Sequence, residues 1–127
     1  MSTQENPFVG TWVANLPKSK RHPDNQFRQA MIEFAMDGAS LTITDVVIDS
    51  SGQEEKGKNT ILVDGKEHPS ARGNGYFITA AWTSSHVLQT MAKKDGQVVG
   101  LGRYAVSDDG TTLTISADQQ QIVCDRQ

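Results

Sequence analysis

The sequence holds one cysteine, no run of basic residues, and no apolar stretch near the ~20 residues that a bilayer crossing takes. Each shortage removes a class of protein. The lone Cys124 excludes an internal disulfide and a multi-cysteine metal knot. It sits in a strand-like run, with no histidine or basic pair near it in sequence, and reads as a small apolar residue rather than a nucleophile. Twelve basic against fifteen acidic side chains leave a net charge of −3. Without a basic patch, neither nucleic acid nor anionic lipid is indicated as a partner.

Catalytic signatures are also missing. There is no Gly-x-Ser-x-Gly, P-loop or dinucleotide fingerprint. His22, His68 and His86 stand far apart, without metal-ligand spacing. Asp45, Asp49, Ser51 and Gly52 lack the spacing of a calcium loop. Glu33 shares a strand with Phe34 but belongs to its opposite face, and is expected to meet solvent. No catalytic residue, metal site or cofactor is assigned. Met1 to Asn6 is polar, with no basic or apolar region of a signal peptide. That predicts a cytoplasmic protein if the chain is complete, and a periplasmic or secreted one if a leader was removed.

What the sequence does contain is short β-like runs divided by turns. Apolar alternation and β-forming residues predict strands over 8–16, 26–36, 41–48, 54–63, 66–69, 76–82, 86–93, 97–106, 111–117 and 121–126. The run 26–36 also carries helical spacing, but the Asp37-Gly38 turn and a further strand pattern follow it. In 41–48 the alternation Leu41-Thr42-Ile43-Thr44 gives way to Val46-Val47-Ile48, and a bulge near Asp45 is the expected cause. Asp-Gly pairs at 37–38, 64–65, 95–96 and 109–110 are strong signals for hairpins with type I′ turns. No helical segment of 10–15 residues separates the strands, which argues against a parallel α/β sheet. Hairpins in series leave two sticky edges unless the sheet closes. The predicted fold is therefore all-β: one domain over 1–127, a single antiparallel up-and-down β-barrel of eight to ten strands, with 1–6 as a flexible N-terminus.

Gly10-Thr11-Trp12 in the first strand resembles the signature of the calycin group, the lipocalins and fatty-acid-binding proteins. The run Asn6-Pro7-Phe8-Val9-Gly10-Thr11-Trp12 is also similar to the opening of a set of uncharacterised bacterial lipocalin-like proteins. Asp64-Gly65-Lys66-Glu67-His68-Pro69 and the stretch from Gly96 to Thr114 fit that set as well. The resemblance implies Gly10, Trp12 and a basic cover on Trp12 as the structural signature. If ten strands close, the last meets the first and Arg126 is that cover, with Arg103 as the rival. Fatty-acid-binding proteins insert a helix pair between their first two strands, and the loop 17–25 with two prolines has no room for one. They also hold a carboxylate with Arg-x-Tyr. Here Arg103 and Tyr104 are adjacent and point to opposite faces, against that mode of binding.

For a barrel of this size, cavity wall and core are the same residues. Ile32, Phe34, Met36, Trp82 and Tyr104 are the expected lining of a ligand cavity. The expected function is binding of a small hydrophobic molecule inside the barrel, by a monomer or homodimer with no membrane span. Two alternatives stand beside it. One is a small barrel enzyme of isomerase or hydrolase type, which needs Glu33 or a histidine facing the cavity. The other is a filled barrel serving as a dimerisation module, with Val46-Val47-Ile48 buried on both faces.

Overall fold

The computed structural model describes residues 6–20, 27–70, 73–117 and 120–127. They form ten strands: β1 Gly10–Ala14, β2 Phe27–Asp37, β3 Ser40–Asp49, β4 Glu54–Leu62, β5 Glu67–Pro69, β6 Tyr76–Ser84, β7 Val87–Lys94, β8 Gln97–Val106, β9 Thr112–Ala117 and β10 Gln120–Arg126. All pairings are antiparallel, in the order β4-β3-β2-β1-β10-β9-β8-β7-β6-β5. Sequence neighbours other than β4 and β5 lie side by side, and β1 pairs with β10, so the described strands wrap into a barrel left open along the β4–β5 seam. In place of a helix pair, β1 is followed by a 3₁₀ turn, Leu16–Lys18, which the Asn15 side chain starts by accepting from the Lys18 amide. Of the expected flexible N-terminus, only Asn6 lies within the described residues.

The first strand begins later than its apolar pattern implies. The Asn6 side chain accepts from the Phe8 amide at 2.9 Å, and the Asn6 carbonyl accepts from Val9 at 3.1 Å. This turn folds Phe8 back into the barrel, where it is fully buried. Strand pairing starts only at Gly10.

Three expectations about turns and faces need correction. Only Asp95-Gly96 has positive φ at both positions, as a type I′ turn requires; at the other three Asp-Gly pairs only the glycine does. Asp64-Gly65 does not close a hairpin. The Gly65 amide donates to the Ala80 carbonyl at 2.8 Å, so the chain crosses toward β6, and β4 and β5 do not pair. Third, β3 has no bulge at Asp45, because its register with β2 and β4 is unbroken from Leu41 through Val47. Alternation therefore continues: Leu41, Ile43, Asp45 and Val47 face inward and Val46 faces out. Val46, Val47 and Ile48 are each half-buried, not closed over on both faces.

The core is lopsided. Phe8, Trp12, Phe34, Leu41, Leu88, Leu113 and Cys124 are fully buried, and all belong to one end of the barrel. Each large apolar side chain buried there contributes about 1.5–3 kcal/mol. The other end has no such packing layer among the described residues.

Candidate functional site

At the packed end, Trp12 is the centre of a plug. Its indole Nε1 donates to the Phe8 carbonyl at 3.0 Å. The Phe8 ring lies edge-on to Phe34 at 5.7 Å and tilted against Trp82 at 5.2 Å. Arg126 is the cross-strand partner of Trp12 and covers it from outside, its guanidinium carbon 4.2 Å from the ring centre. The guanidinium donates to the carbonyls of Gly110, Val9 and Pro7. It thus ties the N-terminal turn and the β8–β9 loop to the last strand.

Beyond the plug the interior opens. Ile32, Ile43, Ile78 and Ile115 all face inward by register, yet each is only half-buried. Across β6 to β9 small residues share the inward face with Ile78 and Ile115. Ala80, Thr90, Gly102 and Ala117 form one row, and Ala92 and Gly100 continue the row that starts at Ile78. The Thr90 hydroxyl takes the space over Gly102, where a Cβ would come 2.6 Å from it, whereas a Cβ on Gly100 would meet only the Ala92 methyl at 3.9 Å.

The interior reaches solvent at the seam. A cleft of about 490 Å³ runs between β4 and β6, lined by Lys58, Asn59, Ser70, Tyr76, Phe77, Ile78 and Ala92. A smaller one of about 120 Å³ adjoins it and is bounded by Ile61 and His68. His68 Nε2 lies 2.8 Å from the Asp64 carboxylate. The Lys66 amide, and after it His68, hold that carboxyl below its ordinary value.

The five residues named as cavity lining all face inward by register. Phe34 is fully buried against Phe8. Met36 and Trp82 flank the plug, paired with Leu41 and Leu88. Ile32 pairs with Trp12 and Tyr104 with Leu88, and the Tyr104 ring meets Phe34 edge-on at 6.1 Å. Burial, and after it the charge of Asp45, push the Tyr104 phenol above its ordinary pKa. Arg103 is exposed on the opposite face.

Glu33 is likewise exposed, and His86 contacts Ser85 at a turn. His22 lies outside the described residues. Asp49 accepts from the Ser51 hydroxyl and from the Ser51 and Gln53 amides, and so acts as a turn cap. No group of three metal-ligating side chains occurs among the described residues.

The inward face of Asp45, the room over Gly57 and the open seam are features that the sequence pattern does not lead one to expect. Strict alternation through Leu41, Ile43, Asp45 and Val47 was the signal for Asp45, masked by the apolar run behind it. Nothing in the residues themselves marks which hairpin of a meander stays unpaired.

No family model and no curated protein matches the chain. Solved structures do. The wild-type fluorescent protein UnaG aligns at 17% identity and TM-score 0.61, over 94% of this chain and 96% of that one. A Schistosoma mansoni fatty acid binding protein in complex with arachidonic acid aligns at 14% and 0.64, over 95% and 96%. The REP1-NXSQ fatty acid transporter aligns at 13% and 0.63, over 94% and 95%. At these identities the likeness is one of fold, and the chain has the calycin-like fold of a ten-stranded, nearly closed antiparallel barrel.

Proposed function

We propose that the protein is a carrier that holds a small hydrophobic ligand in the open half of its barrel. One observation carries this reading: inward-facing Ile32, Ile43, Ile78 and Ile115 stay half-buried while the plug below them is closed. Apolar surface left facing an interior space gains free energy when a ligand covers it, about 25 cal/mol per Å². The seam gives a route in, and its cleft of about 490 Å³ falls in the range typical of small-molecule sites. The neighbours whose names mention fatty acids support the same class of ligand. Ile32, Phe34 and Tyr104 would contact the ligand directly, with Met36 and Trp82 behind them. The enzyme alternative has less support, since Glu33 lies on the outer face and His68 is held by Asp64 at the seam.

Titration with Nile red, a neutral fluorophore that brightens in apolar surroundings, tests the reading. Saturable binding at one site per chain is expected. Ala92→Trp, which fills the open half from β7, should abolish binding while the far-ultraviolet circular dichroism stays the same. Absence of saturable binding, or a variant that binds as well as the parent, would overturn the carrier reading.

A further inference from the structure

Midway along the interior stands a carboxylate that forms no ion pair with a described residue. Asp45 lies on the inward face of β3 between Ile43 and Val47, in register with Ile32 on one side and Gly57 on the other. Its side chain lies over Gly57, where a Cβ would come 2.5 Å from Oδ1. The glycine thus makes room for the carboxylate. No other described residue donates a hydrogen bond to it.

Tyr104 reaches the same region from the opposite wall. It touches Phe34, and Phe34 is the cross-strand partner of Ile43, the inward neighbour of Asp45. Lys56 and Lys58 flank Gly57 but belong to the other face of β4 and are exposed, and Lys58 lines the seam cleft. Arg103 is exposed on the outer face, and Arg126 is bonded to three carbonyls at the shut end. Lys94 is exposed at its strand end, 5.0 Å from the Tyr76 ring centre. Two other acids share that face of β3 and β4: Glu55 is exposed near the start of β4, and Asp49 caps the turn at the end of β3. A ligand carboxylate placed near Asp45 would meet a like charge and, among the described residues, no guanidinium. An ammonium, or an N–H or O–H donor, would find two acceptor oxygens and a phenol.

We propose that Asp45, with Tyr104, selects the polar head of the ligand, so that the barrel takes an apolar chain ending in an amine in preference to one ending in a carboxylate. This rests on the carrier reading above and adds the ligand's chemical class to it.

Competition against bound Nile red at pH 7 by dodecylamine, dodecanol and dodecanoate tests both levels separately. The amine is expected to bind at least about tenfold more tightly than the carboxylate, with the alcohol between. Asp45→Asn, which is nearly isosteric, should keep Nile red affinity and remove most of that ratio. Gly57→Ala keeps the charge but displaces the carboxylate, and should reduce the ratio in part. Glu33→Gln makes the same charge change on the outer face and should leave the ratio alone, which separates a local effect from attraction to the protein's net charge of −3. If dodecanoate binds as well as dodecylamine, or Asp45→Asn leaves the ratio in place, the head-group proposal falls while the carrier reading stands. If Nile red does not bind at all, both fall.

Discussion

A Cβ on Gly10 would lie 2.7 Å from Nη1 of Arg126, and Gly10 holds φ at +129°. Two separate constraints therefore require glycine at this position. The backbone conformation is one that side chains rarely adopt, and the guanidinium covering Trp12 occupies the space. Gly10→Ala is expected to cost about 2–3 kcal/mol, the scale of a strained backbone position with added contact strain. Gly110→Ala, at φ +75° with open space around it, isolates the backbone part and should cost about 1 kcal/mol. Urea denaturation of both variants checks this, and equal losses would show that the Arg126 contact adds nothing.

Arg126 closes the barrel by geometry more than by charge. Its Nε donates to the Gly110 carbonyl at 2.7 Å and Nη1 to Val9 at 3.0 Å, while Nη2 serves Pro7. A lysine keeps the charge and the cation–π contact but cannot reach three carbonyls with one ammonium. Arg126→Lys should therefore lose about 1–3 kcal/mol. Arg103→Lys on the outer face should stay within about 0.5 kcal/mol of the parent. Hydrogen exchange should quicken at the β1–β10 pair in the first variant alone.

Much of this barrel is readable because strand alternation and turn residues are local signals. Residues 97–106 carry a strand pattern between two Asp-Gly pairs, and β8 spans that range. The meeting of Trp12 and Arg126 also follows from local information, since an even number of antiparallel strands brings the last beside the first. The seam does not follow. Asp64-Gly65 has the same composition as the pair at 95–96, yet Gly65 bonds to Ala80, a contact distant in sequence, and the chain crosses toward β6. Asp45 was obscured for a related reason. An acid followed by Val46-Val47-Ile48 suggests a break in alternation, whereas the register on both sides holds it in place. The open half of the barrel depends on small residues from four strands lying in line, and no single segment shows that.

Asp109 gives the fold a measurable acid dependence. The Ser107 hydroxyl, then the Thr111 hydroxyl and amide, donate to its carboxylate and bring its pKa down to about 2. Asp49 and Asp64 are lowered in the same direction, chiefly by the Ser51 hydroxyl and the Lys66 amide. A carboxylate whose folded pKa is depressed adds stability that is full above its unfolded value near 3.8 and is lost as pH falls through about 2. Thermal melts should therefore drop between pH 4 and pH 2 as the caps protonate. Asp109→Asn should melt lower than the parent at neutral pH and show a shallower fall across that window. A parallel fall in the two proteins would mean that the Ser107–Thr111 cap does not feel the charge.

Cys124 should report on opening of the barrel. It is fully buried on β10, opposite Leu113 and Ala14. Burial, and after it the charge of Asp125, push its thiol up to about 11. At pH 8 very little thiolate exists and none of it meets solvent, so a disulfide reagent such as DTNB should react over hours in the native protein and within seconds in denaturant. The slow rate then measures how often the β1–β10–β9 region opens. Arg126→Lys weakens the tie across that region and should speed labelling, by about tenfold for each 1.4 kcal/mol lost if labelling follows the opening equilibrium. Cys124→Ser would place a hydroxyl among apolar neighbours and should cost about 1–3 kcal/mol. Rapid labelling of the native protein at pH 8 would contradict the burial of this strand.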